Sequence, residues 1–249
     1  MPRDLISQLV RHVAPHAETE TPGGAAWPGA SKLGLLSMAE IFRDLTPPEM
    51  AEVDRMTAMT TCRRGRAFYT PGETGEVLFI LKRGRVNVYR VSADGRKLVT
   101  ATIGPGTIFG EMSLLGQGMN DNYAEAAQDC TLCVMSRDDV ERLVASKPAV
   151  ALRLIQVLAQ RLHRGEEQLE EMAFKRIEGR LASTLLRLSQ PSDHAVHGYT
   201  HQDLADMMGT YRETVSRCLS QFADRGLVEL GRKKVVILER QKLETIAQQ

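Results

Sequence analysis

The spacing of apolar residues changes period three times along the chain. A short amphipathic run at Leu5, Ile6, Leu9 and Val10 passes into a breaker-rich stretch from Thr19 to Ala30, which reads as a flexible arm ending near residue 32. Leu33 to Met59 reads as helix, restarted at Asp44-Leu-Thr-Pro-Pro-Glu49. There Thr46 caps, and Pro47 sits in the first turn, where its missing N–H costs nothing. From Arg64 to Ser136 short runs of Val, Ile, Leu, Tyr and Phe are punctuated by Pro71-Gly, Arg83-Gly, Asp94-Gly, Gly104-Pro-Gly and Gly116-Gln-Gly. Such spacing predicts an antiparallel jelly roll, with two strands inside Val77–Val91 and a hairpin at Asp94-Gly95 leading into Lys97–Ile103.

The helical period returns at Arg137–Ala145 and continues from Pro148. Ile155, Leu158, Leu162, Gly165, Leu169 and Met172 alternate spacings of three and four, which is a heptad seam, and Gln160, Arg161, Arg164, Glu166, Glu167 and Glu170 flank it with polar groups. Two copies of the chain would bury that seam between them; the other use for an amphipathic helix is to lie on its own barrel, and one helix has faces for both. After a bend near Phe174, Arg176–Leu188 is a helix stopped by Gln190-Pro191 and a polar loop through Gly198. Thr200 caps a helix through Met208, Gly209 turns the chain, Tyr211–Arg225 is a second helix closed by Gly226, and Leu227–Leu238 holds two strands around Gly231-Arg-Lys-Lys234. Leu204, Met207, Met208, Val215 and Leu219 are the residues expected to lock the two helices together. The layout is a winged helix-turn-helix.

Composition adds little until the chain is divided. Its 249 residues suit two domains, and 32 basic against 31 acidic side chains leave a net charge of +1, which does not announce a polyanion-binding protein. Residues 1–174, however, carry −2 and residues 175–249 carry +3, a mild bias toward DNA in the second part. No apolar stretch approaches the roughly 20 residues of a membrane span and no signal peptide is legible, so the cytoplasm is the expected compartment, with no membrane partner. The four cysteines are expected as thiols there. Cys130 and Cys133 fall on an apparent strand, where residues three apart face opposite ways, so they read as core fillers rather than a redox pair. No phosphate-cradling lysine loop, nucleophile elbow or histidine metal spacing occurs, so neither an enzyme nor a metal site is expected.

The face of the second helix carries the chemistry. Arginine pairs bidentately with guanine, glutamate accepts from cytosine and serine bonds a base or a phosphate, so Arg212, Glu213, Ser216 and Arg217 suit a major groove. Thr200, Gln202, Thr210, Tyr211 and Lys233, at the edges of the motif, are better placed for phosphates. Phe109-Gly-Glu-Met-Ser-Leu-Leu115 after Gly104-Pro-Gly106, and Tyr199-Thr-His-Gln-Asp-Leu-Ala through Arg217, resemble the cyclic-AMP receptor protein and FNR (Crp-Fnr) family of bacterial transcription regulators over about Leu33 to Ala247. The resemblance implies an α+β chain: an arm (1–32), a cyclic-nucleotide-binding-like β jelly roll (33–147), a long dimerisation helix (148–174) and a C-terminal winged helix-turn-helix (175–249). It further implies a homodimer on a near-palindromic, TGTGA-like DNA operator read by Arg212, Glu213 and Arg217, with RNA polymerase as a further partner.

The ligand site departs from that family. Gly110 and Glu111 match the turn that holds a cyclic nucleotide, followed by Met112 and Ser113, but the family's phosphate-binding arginine, about ten residues on, falls in Met119–Glu125, which contains no arginine and has Asp121. A buried phosphate would meet an anion there. The long helix, Ala149–Phe174, also lacks the serine or threonine that recognises adenine in the family. Cyclic AMP is therefore not expected to bind. What remains is effector-independent DNA binding, or a neutral or cationic ligand in a pocket of Gly110, Glu111, Met112, Ser113, Asn122 and Tyr123, where Tyr123 can also fill the empty phosphate niche and mimic a bound ligand. No cysteine precedes Cys62, which argues against an iron–sulfur cluster; His163 and Cys62 are the residues a haem would use, and Cys218 reads as packed. No cofactor is expected. The alternatives are a cyclic-nucleotide-responsive regulator, or a ligand-binding regulatory subunit that does not bind DNA.

Overall fold

The computed structural model describes residues 32–71, 77–110 and 122–249. The arm, Glu111, Met112, Ser113 and Asp121 lie outside the described residues. Two compact units result, and they do not follow chain order: residues up to Tyr89 join Ala101–Arg161, and Arg90–Thr100 join Leu162–Gln249.

The first unit opens with α1 (Lys32–Ser37) and α2 (Pro47–Met56). A capping box starts α2: the Thr46 amide donates to Glu49 Oε2 at 2.9 Å, and the Thr46 hydroxyl donates to the same oxygen at 2.7 Å. The helix ends at Met56 rather than Met59, because Met59 already alternates outward on a strand. Among the described residues eight strands follow: β1 (Ala58–Cys62), β2 (Ala67–Tyr69), β3 (Val77–Arg83), β4 (Val86–Val91), β5 (Lys97–Ile103), β6 (Ile108–Phe109), β7 (Tyr123–Ala126) and β8 (Cys130–Ser136). They form two four-stranded sheets in the orders β1-β8-β3-β6 and β2-β7-β4-β5.

The uninterrupted apolar run of β3 is explained by burial on both faces, since alternate side chains of a strand leave opposite sides of the sheet. Val77, Phe79 and Leu81 enter a core with Phe68, Phe109, Ala124 and Leu132, in which Phe79 stacks on Phe109 at 4.7 Å and Phe68 meets Phe109 edge-on at 5.0 Å. Leu78 and Ile80 enter a second core with Leu36, Phe42, Val53, Met135 and Leu143. Cys130 and Cys133 divide in the same way, one to each core.

α3 (Arg137–Ser146) is capped by Ser136, whose Oγ accepts from the Asp139 amide at 3.2 Å. α4 (Pro148–Phe174) then runs 27 residues. Val150 and Val157 bury into the second core, while Ile155, Leu162 and Leu169 stay exposed, the last two at 66% and 69%. One face of the helix therefore serves its own barrel and the heptad seam faces outward, with Leu158 and Met172 half-buried and Gly165 exposed along it.

The second unit contains α5 (Ile177–Leu188), β9 (Ala195–His197), α6 (His201–Met208), α7 (Arg212–Asp224), β10 (Val228–Gly231), β11 (Lys234–Ile237) and α8 (Arg240–Ala247). Its core joins Leu181, Leu185, Leu204, Met208, Val215, Leu219, Phe222, Val235 and Leu243. Met207 is not part of it; its carbonyl instead accepts from Gln168. The wing is a three-stranded sheet, β10-β11-β9, rather than a hairpin alone. β9 escapes the sequence pattern because three residues are too few to show alternation. No single helix among the described residues is long and apolar enough to cross a membrane.

Candidate nucleic-acid interface

α7 has two unlike faces. At 100° per residue, Val215, Cys218, Leu219 and Phe222 fall within an arc of about 100°, and Arg212, Glu213, Ser216 and Arg217 within an adjoining arc of about 140°. The first four are buried; Arg212, Glu213 and Arg217 are exposed and Ser216 is half-buried. A polar, arginine-bearing ridge is thus held rigidly by the apolar side of the same helix. Burial raises the Cys218 thiol above its ordinary value, as suits a packing residue.

The turn leading into α7 is fixed by Gly209, which adopts φ 60°, ψ 38°, a left-handed conformation natural to glycine. An added Cβ would also meet Leu98 Cδ1 at 3.1 Å. Thr200 caps α6: its hydroxyl donates to Asp203 Oδ2 at 2.7 Å and accepts from the Asp203 amide at 3.1 Å. Losing that reciprocal cap costs typically about 1 kcal/mol, so Thr200→Ala will lower the unfolding free energy of the second unit, read from urea titration, by that order while leaving its circular dichroism unchanged. Gln202 is exposed and donates to Asp206 Oδ1 at 2.7 Å. Thr210 is half-buried beside the turn, and Lys233 is exposed at the tip of the wing with φ 52°.

Three features of this surface carry no signal in the local sequence. The first joins the two helices: His201 Nδ1 lies 2.8 Å from Ser216 Oγ. Burial, followed by the nearby Arg212 charge, holds the His201 imidazole below its ordinary value of 6.5. A folded-state value below the unfolded one means that the unfolded chain binds more protons in this range. The stabilisation is therefore complete above the ordinary value and is lost as pH falls below it and through the folded value. The urea midpoint is expected to drop between pH 7.5 and 5.5, and His201→Gln is expected to flatten that slope; an unchanged slope would refute the assignment.

The second feature is a clasp from the β4–β5 hairpin. The Tyr211 hydroxyl donates to Asp94 Oδ2 at 3.1 Å, the Arg96 guanidinium lies 5.4 Å above the Tyr211 ring, and Arg96 Nη1 donates to the Gly209 carbonyl at 3.4 Å. Hydrogen bonds from Ser92, Arg96 and Tyr211 hold the Asp94 carboxyl at about 2. Tyr211, expected at a phosphate, thus has its hydroxyl on an aspartate. The third feature is a pair of long side chains that tie the end of α6: Gln168 Nε2 donates to the carbonyls of Val99 (3.1 Å) and Met207 (3.4 Å), and Arg180 donates to the carbonyl of Met208.

Of the expected effector pocket, only Gly110, Asn122 and Tyr123 are described. Tyr123 sits on the strand face opposite that of Ala124 and Ala126, which point into the inter-sheet core, and its ring stacks on Tyr89 at 5.1 Å. Strand parity therefore sends its ring away from the barrel interior and not into a phosphate niche there. His163 is exposed on α4 beside Glu166 and Glu167, at 3.9 and 3.4 Å.

The barrel, the long helix and the winged reader with its exposed arginines define a DNA-binding transcription regulator. Residues 59–147 match the cyclic nucleotide-binding domain and residues 179–246 the Crp-like helix-turn-helix domain. The chain is 31% identical to a CRP-like cAMP-activated global transcriptional regulator of Mycobacterium tuberculosis, over 84% of this chain and 96% of that one. It is 33% identical to the cyclic AMP receptor protein of Thermus thermophilus, over 83% and 96%. The structure of FixK2 from Bradyrhizobium japonicum superposes with a TM-score of 0.68 at 27% identity, covering 76% of this chain and 96% of that one. The chain belongs to the Crp-Fnr family of transcription regulators.

Proposed function

We propose that the chain works as a homodimer that places α7 of each copy in successive major grooves of a near-palindromic operator, and does so without cyclic AMP. The observation that carries the DNA half is the exposed ridge of Arg212, Glu213 and Arg217 above a buried apolar face. Two such ridges would meet half-sites about 34 Å apart, and the similarity of these residues to the family pattern favours a TGTGA-like half-site. The outward seam of α4, with Ile155, Leu162 and Leu169 exposed, supports the dimer. Thr200, Gln202, Thr210, Tyr211 and Lys233 are assigned to the DNA backbone.

Support for independence from cyclic AMP is chemical: no cation stands between Met119 and Ala124, Asp121 holds the position of the family's phosphate partner, and α4 offers no hydroxyl after its start. The names of the relatives from Mycobacterium tuberculosis and Thermus thermophilus support the second reading, a regulator switched by that nucleotide. Isothermal titration with cyclic AMP and cyclic GMP separates the two. We expect no binding heat at micromolar nucleotide and the same operator affinity with and without it; a micromolar dissociation constant would overturn the proposal.

A further inference from the structure

Away from the reader, one pair of nucleophilic side chains is brought together by strand pairing. β1 and β8 run antiparallel with Cys62 directly opposite Cys130. Directly opposed residues of such a ladder have Cα atoms about 4.5 to 5.5 Å apart, inside the span of about 4.4 to 6.8 Å that a disulfide bridges. Opposed residues share a face, and both side chains turn into the inter-sheet core, where the Cys130 thiol also donates to the carbonyls of Gln128 at 3.2 Å and Arg85 at 3.5 Å. Cys130 is buried and Cys62 half-buried. Glycine at position 84 leaves the sulfur its room: a Cβ there would lie 2.7 Å from Cys130 Sγ, and the backbone holds φ +92°. Cys133 belongs to the other face of the sheet and Cys218 to the second unit.

We propose that Cys62 and Cys130 are a peroxide-sensitive dithiol, a modification site that closes to an intramolecular disulfide and staples β1 to β8. The oxidant is a hydroperoxide, little larger than water in its simplest form. The Cys130 sulfur attacks one peroxide oxygen; an S–O bond forms as the O–O bond breaks, and the departing hydroxide takes the thiol proton and leaves as water. The Cys62 sulfur then attacks Cys130 Sγ; the S–S bond forms as the S–O bond breaks, and the second hydroxide leaves as water with the Cys62 proton. Two thiols thus give two electrons and two protons to one hydrogen peroxide, yielding one disulfide and two waters.

The division of roles follows the opposite directions in which the paired thiols are shifted. Proximity to Cys62 lowers the Cys130 group, against the opposing effect of burial. The same proximity, with burial, raises Cys62, which keeps its proton for the second step. Cys130 is the attacking sulfur and Cys62 the resolving one.

The test uses the intact protein treated with hydrogen peroxide, then alkylated and mapped by peptide mass spectrometry. The expected product is a Cys62–Cys130 linked peptide lighter by two hydrogens than the separate thiols, formed equally in Cys133→Ser and Cys218→Ser and returned to free thiols by reductant. Cys62→Ser, with its melting temperature checked, is expected to lose the bridge to background and to leave Cys130 as a trappable sulfenic acid. Recovery of both cysteines fully alkylated after peroxide, or a bridge from Cys130 to Cys133, would overturn the proposal. The parent protein alone decides between these outcomes, so an unstable variant does not blunt the test.

Discussion

Leu162→Asp combined with Leu169→Asp is expected to reduce the proposed homodimer to a monomer and lower its operator affinity by about 100- to 10,000-fold, the range by which linking two binding modules exceeds either alone. Both leucines are about two-thirds exposed in the single chain and lie outside the three hydrophobic cores. Placing charge on them leaves the folded monomer's packing intact while setting four carboxylates along the seam between two copies, where removal from water is unfavourable without cationic partners. Light scattering coupled to size exclusion reads the mass, and fluorescence anisotropy with an operator duplex reads the affinity. Circular dichroism and the melting profile of the monomer should match those of the parent. A variant that keeps the dimer mass would refute the seam. If Leu152, which is also exposed on α4, extends the contact, its substitution adds to the same effect.

The second large effect concerns Arg217. Truncation to alanine removes a side chain suited to a bidentate guanine contact, worth about 1 to 3 kcal/mol of discrimination in each half-site. With two well-separated half-sites the losses add, so the preference for the operator over unrelated DNA is expected to fall by one to several powers of ten. Affinity for unrelated DNA, carried by phosphate contacts, should change far less. An equal loss on both kinds of DNA would show that Arg217 touches backbone and not bases. Because Arg217 is exposed and stands outside the core of Val215, Leu219 and Phe222, the stability of the reader should be unaffected.

How far these sites could be read from sequence depended on the range of the interactions that make them. The cap at Thr46, the turn at Gly209, the seam of α4 and the two-faced character of α7 are set by residues within five positions of one another, and periodicity exposes them. The split of β3 between two cores was foreshadowed by its unbroken apolar run. Contacts between distant residues left no trace: Asp94-Gly95 read only as a hairpin turn, yet Asp94 meets Tyr211 117 positions later. The strand pattern sends Cys130 and Cys133 to opposite faces, where two separate cores receive them, but nothing in it brings Cys62 to Cys130, which the β1–β8 ladder does. The pairing of His201 with Ser216 depends on how two helices cross, which spacing within either helix does not specify. Tyr123 escapes the sequence for a different reason: parity decides which face of β7 it takes, and that is fixed only once Ala124 and Ala126 fill the core.

The β4–β5 clasp bears on how this protein can be cut. A fragment beginning at Leu162 would hold every residue of the winged helix-turn-helix and still be incomplete, since Arg90–Thr100 belongs to the same compact unit. Without that hairpin the Tyr211 hydroxyl loses its acceptor, Gln168 loses the Val99 carbonyl, and the turn at Gly209 is uncovered where Leu98 packs. The smallest faithful excision is therefore discontinuous: an isolated reader needs a graft of eleven residues from the barrel sequence, joined by a short linker, and a boundary drawn at a single point on the chain will divide a unit that folding has made whole.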